Sequence, residues 1–77
     1  MHNETSLDIH GLTVQEAHIE IDYFLEYLSD SVYEVEIIHG YKNGHALLDF
    51  VRNVYKHPRI KRKILSFNNG ITTFLIK

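Results

Sequence analysis

The tripeptide Ile-His-Gly occurs twice in this 77-residue chain, at Ile9-His10-Gly11 and Ile38-His39-Gly40. An imidazole changes charge near neutral pH and can take a proton from, or hand one to, a phosphodiester. A carboxylate stands two positions before the first histidine, in Leu7-Asp8-Ile9-His10. Residues two apart in a strand project to the same face, about 7 Å from one another. Asp8 is thereby expected to share the open face of a sheet with His10, where it can orient the ring, raise its pKa or recruit a cation. Each Ile-His-Gly closes a strand-like run and precedes a helix-like one. Two strands joined through the intervening helix are parallel by the right-handed crossover rule, which brings both glycine turns to one edge of the sheet. Open α/β sheets bind ligands in the crevice beyond the carboxyl ends of their strands, so His10 and His39 are expected at one rim.

The second turn continues as His39-Gly40-Tyr41-Lys42-Asn43-Gly44. Glycines let backbone approach a ligand closely, and the N–H groups of a following helix attract an anion such as phosphate, with Lys42 inside the loop. The segment lacks the Gly-Lys-Ser/Thr ending of a nucleotide-hydrolase phosphate loop. Asp8, His10 and His39 could together ligate manganese, zinc or iron. His2, His18, His45 and His57 are scattered without metal-ligand spacing and suit structural or solvent-exposed roles. The absence of cysteine excludes disulfides, thiolate zinc sites and a cysteine nucleophile.

The elements that must position these residues are legible in the patterning. Thr5 to His10 alternates as a short strand with Leu7 and Ile9 inward. Thr13 and Glu16 form a capping box before a helix whose apolar residues are Val14, Ala17, Ile21, Phe24, Leu25 and Leu28, running to about Ser29 or Asp30. Val32 to Ile38 is a buried second strand beside the first. Leu47, Leu48, Val51, Val54 and Tyr55 give a second amphipathic helix stopped by Pro58. Ile60 to Phe67 and Ile71 to Ile76 flank Asn68-Asn69-Gly70, whose Asn-Gly pair favours positive φ and a hairpin. The order is βαβαββ, which predicts an α/β two-layer sandwich: a four-stranded mixed sheet, mostly parallel with an antiparallel last strand, and two helices on one face.

Length and composition fit one small domain over residues 1–77, its core from about residue 6. The start lacks a basic, apolar secretory signal, and no apolar run approaches the roughly 20 residues that span a bilayer. A soluble cytoplasmic domain without membrane contact is expected. Nine of the ten acidic residues lie between Glu4 and Glu36, where there is no Lys or Arg, and all eight basic residues follow Tyr41. Arg52, Lys56, Arg59, Lys61, Arg62 and Lys63 make a basic segment suited to a phosphate-bearing partner, although the pI near 6.3 is well below that of strongly basic nucleic-acid binders.

Leu7-Asp8-Ile9-His10 and His39-Gly40-Tyr41-Lys42-Asn43-Gly44, at this separation, resemble the Leu-Asp-x-His and His-Gly-x-Gly-x-Gly-like motifs of the Smr (small MutS-related) domain. Gly11 to Ala17 looks like the family's first helix start, and the resemblance runs from about Ser6 to Phe67. It implies a βαβαββ sandwich similar to the C-terminal domain of translation initiation factor three, and a nucleic-acid-processing function, as an endonuclease that cleaves RNA or nicks structured DNA. It further implies that Asp8 and His10 are catalytic and that His39, Gly40 and Gly44 form the substrate loop. Lys42 departs from the pattern, standing at the loop's middle glycine. On this reading His39 joins His10 as base, acid or transition-state stabiliser. The basic residues Arg52, Lys56, Arg59 and Lys61 extend the contact to RNA or branched DNA. DNA hydrolysis would call for a divalent cation, magnesium or manganese, whereas RNA supplies its own 2′-hydroxyl. Two other functions compete: a binding module for nucleic acid or ribosome without catalysis, and a protein-interaction domain pairing its acidic and basic halves.

Overall fold

The computed structural model describes residues 4–41 and 45–77. Strand β1 (Glu4–Asp8) leads into helix α1 (Val14–Glu26), then strand β2 (Glu34–Ile38), helix α2 (Ala46–Asp49) with a π-helical continuation (Phe50–Val54), strand β3 (Ile60–Leu65) and strand β4 (Ile71–Ile76). The sheet order is β1-β2-β4-β3. β1 and β2 pair parallel, whereas β4 pairs antiparallel with both β2 and β3. Three strands therefore point one way and β4 runs against them, inserted between β2 and β3. The α/β mixed-sheet sandwich expected from the sequence is the observed fold.

Alternation decides the layers. Val35 and Ile37 of β2 and Thr72, Phe74 and Ile76 of β4 are buried on one face. Against them pack Ala17, Ile21 and Leu25 of α1, with Phe50, Val51 and Tyr55 from the second helical segment. Helix α1 starts as its residues require: the Thr13 hydroxyl accepts from Glu16 N–H, and the Glu16 carboxylate accepts from Thr13 N–H. It ends at Glu26, short of Ser29, because the chain loosens at Tyr27 and the Arg59 guanidinium donates to the carbonyls of Leu25 and Leu28, 2.8 Å each.

Two local expectations are corrected. The second helix is not α-helical throughout: Tyr55 N–H reaches the Phe50 carbonyl, five residues back, at 2.7 Å. The wider turn rotates the following side chains, so Phe50 and Tyr55 enter the core while Val54 is left 56 % exposed. The β3–β4 hairpin forms, but not through a positive-φ Asn-Gly turn. Among the described residues only Gly11 and Gly40 have positive φ. The turn is held instead by Ser66 and Asn68 side chains accepting from Asn68 N–H and Gly70 N–H.

Candidate active site

The carboxyl ends of β1 and β2 open into a cleft of about 610 Å³, lined by both Ile-His-Gly turns, by Leu47 of α2 and by Asn68, Gly70 and Ile71 before and at the start of β4. Both histidines line it, as expected, but in unlike ways. Strand pairing places Leu7 level with Ile37 and Asp8 level with Ile38. One step further, Ile9 stands level with His39 and His10 with Gly40, and a Cβ added to Gly40 would lie 3.6 Å from that of His10. The two tripeptides are thus offset by one residue, and a one-residue offset turns a side chain to the opposite face. Ile9 and His39 are buried, whereas the His10 side chain is 71 % exposed.

Asp8 ends β1, and the chain turns at once, with Leu12 N–H donating to the Ile9 carbonyl. The Asp8 carboxylate accepts from His10 N–H at 3.0 Å and lies 2.5 Å from His10 Nδ1. The pair is therefore much closer than strand spacing gives, because an Asx turn folds it together. Bonds from the His10 ring and then its backbone hold the Asp8 carboxyl below the usual carboxylate range. With Nδ1–H committed to Asp8, Nε2 is the nitrogen that can exchange a proton with a substrate.

His39 is fully bonded. Its Nδ1 is 2.9 Å from the Gly40 carbonyl, which only accepts, so Nδ1 carries the hydrogen. Nε2, 2.8 Å from Thr72 Oγ1, must then accept from that hydroxyl. Thr72 Oγ1 in turn accepts from Arg52 Nε–H at 2.7 Å, and a second Arg52 nitrogen donates to the Ile71 carbonyl at 2.9 Å. The π-helical segment carries Arg52 to this position. Burial, together with the Arg52 charge, pushes the His39 imidazolium pKa down despite the opposing Gly40 carbonyl bond. A neutral imidazole without a spare nitrogen is suited to positioning, not to proton transfer. What it positions is the glycine turn, through the Nδ1 bond to the Gly40 carbonyl; the main chain adds His39 N–H and Gly40 N–H, which both donate to the Gly70 carbonyl, at 2.9 and 3.0 Å. A Cβ on Gly70 would press to 3.4 Å from Gly40 Cα.

The remaining site residues divide by location. Gly40 lines the cleft; Lys42 and Gly44 lie outside the described residues. Of the basic residues expected to extend the contact, Arg52 does not line the cleft but bonds to Thr72 behind His39 and to the Ile71 carbonyl. Lys56, Arg59 and Lys61 belong to the approach to β3 and its beginning, at the opposite end of the sheet. Arg59 there holds the end of α1 and meets Asp30 at 3.4 Å. Among the described residues, no three His, Asp or Glu side chains converge to hold a metal ion. His39, bonded elsewhere, does not join Asp8 and His10, so the expected three-residue centre does not form. The sequence reading missed Thr72 and Gly70. The signal for Thr72 is its spacing: a strand period of two that turns Phe74 and Ile76 inward turns Thr72 inward as well, and a buried hydroxyl needs a partner.

No helix among the described residues is long and apolar enough to cross a membrane. The Smr domain family model matches residues 7–72. The chain is similar in structure to the Smr domain of Thermus thermophilus MutS2, with a TM-score of 0.83 and 25 % identity, covering 95 % of this chain and 98 % of that one. No curated protein matches it in sequence. A family model spanning most of the chain, and a solved Smr domain that superposes along nearly its whole length, establish that this protein belongs to the Smr domain family, a nucleic-acid-associated family.

Proposed function

We propose that this domain is an endonuclease that cleaves RNA or nicks structured DNA, with His10 as its proton-transfer group and Asp8 as the residue that orients it. The observation that carries the reading is the Asp8–His10 pair: an exposed imidazole, its Nδ1 anchored 2.5 Å from a carboxylate, at the lip of the cleft. RNA is the substrate this pair serves best. His10 Nε2 takes the 2′-hydroxyl proton, the 2′-oxygen attacks phosphorus, and the bond to the 5′-oxygen breaks, the leaving oxygen taking a proton from water or from the imidazolium. That sequence uses the groups present at the lip and asks for no third ligand beside Asp8 and His10. Gly40 shapes the substrate side of the site, and His39, through Thr72 and Arg52, keeps Gly40 in place.

A second reading, nucleic-acid or ribosome binding without cleavage, is favoured by one observation: the full hydrogen bonding of His39 leaves a single proton-transfer histidine. One assay separates the two. The domain is incubated with labelled single-stranded RNA, duplex DNA and branched DNA, each with magnesium, manganese or chelator, beside His10→Ala. Cleavage abolished in the variant supports the nuclease. Salt-dependent retention without product supports the binding module.

A further inference from the structure

The cleft is larger and more apolar than a phosphodiester needs. Its proton-transfer group stands at one lip, whereas Leu12, Ile38, Leu47 and Ile71 form much of the wall, with the Tyr41 ring beside them. A phosphate does not enter such a wall, because burying its charge away from water or paired donors is costly. A flat, uncharged group covalently attached to the phosphate does. We propose that the cleft is a nucleobase pocket and that the substrate is an unpaired, single-stranded nucleotide, its base against Tyr41 while its phosphate remains at His10. This inference rests on the nucleic-acid-processing reading and adds to it the class of nucleotide that the site accepts.

Three features suit a base. Tyr41 lines the cleft and is 43 % exposed, which suits stacking, an interaction open to every base because each has a π-face. Gly11 and Gly40, both at positive φ, present lining without side chains, and a Cβ at Gly11 would meet nothing within 4 Å. Asn68 supplies directionality: its Oδ1 accepts from Gly70 N–H at 2.8 Å, which fixes the carboxamide and leaves its NH₂ group to donate to a base edge. A base inside a duplex is stacked and paired and reaches such a pocket only by extrusion. Single strands, loops and unpaired junction arms are therefore preferred over intact duplex.

The test is fluorescence anisotropy of the domain with three probes of one length: single-stranded RNA, the corresponding RNA duplex, and a ribose-phosphate strand lacking bases. Each is measured with the natural sequence, Tyr41→Ala and Tyr41→Phe. The single strand should bind most tightly, and loss of the bases or of the Tyr41 ring should each weaken it roughly 5- to 150-fold, the range spanned by base–aromatic stacking. Tyr41→Phe should restore most of the affinity. Equal, salt-dependent binding of all three probes, unchanged in Tyr41→Ala, would overturn the base pocket and leave the processing reading intact. Failure of every probe to bind at low salt would overturn both.

Discussion

The same three residues, Ile-His-Gly, build two different devices at neighbouring strand ends. After β1 the histidine is exposed and tied to a carboxylate. After β2 it is buried and wired through Thr72 to Arg52. The glycine behaves alike in both, taking φ of +82° at Gly11 and +72° at Gly40. What differs is register and surroundings. β1 is an edge strand whose inward series ends at Ile9, and β2 is flanked on both sides, its inward series continuing Val35, Ile37, His39. A repeated motif therefore does not imply a repeated role: the face that each residue meets assigns the chemistry.

The sharpest way to break this contrast is to remove each imidazole. His10→Ala should lower cleavage by about 10²- to 10⁴-fold, the usual worth of a positioned acid or base. Its stability should change by only about 0.5 kcal/mol, as at other surface positions. Rates and urea unfolding measured on one preparation check both. The buried side should respond in the reverse manner. Thr72→Val strips the hydroxyl from between His39 and Arg52 and should destabilise the fold by about 1–3 kcal/mol, the cost of unpaired buried polar groups, as read by chemical denaturation. A smaller loss is expected at the glycine that both histidines' turns approach. Gly40→Ala should lose about 1–2 kcal/mol through its left-handed backbone alone, since the added methyl makes only ordinary contact with His10.

The smallest effect is on pH dependence. The folded state lowers the His39 pKa below 6.5, so the unfolded chain takes up a proton there first. The His39 contribution is complete above pH 6.5 and declines as pH falls below it, through the folded pKa. Thermal melts between pH 7.5 and 5 should show this decline in the natural protein and a shallower one in His39→Asn.

Much of this was legible in the sequence. The capping box of Thr13 and Glu16, the alternation of Leu7, Asp8, Ile9 and His10 and the order of elements led to the observed sandwich, and Asp8-x-His10 led to the exposed pair. Three things were not. The offset between the tripeptides depends on pairing register, which local pattern does not encode. The π-turn at Phe50 hides in a run of apolar residues that reads equally well as plain α-helix. The Arg52–Thr72–His39 chain joins residues up to 33 positions apart, and only the fold brings them together. For the same reason the basic segment is continuous in sequence, whereas the structure turns Arg59 to the end of α1 and Arg52 to Thr72 and the Ile71 carbonyl.

The claim that the two histidines are unlike is tested most directly by a long-range ¹H–¹⁵N correlation spectrum of the imidazoles recorded across pH 8 to 5. His39 should be the neutral tautomer with its proton on Nδ1 and should stay neutral below pH 6.5. A proton on Nε2 in the neutral ring, or a titration midpoint at or above 6.5, would contradict it.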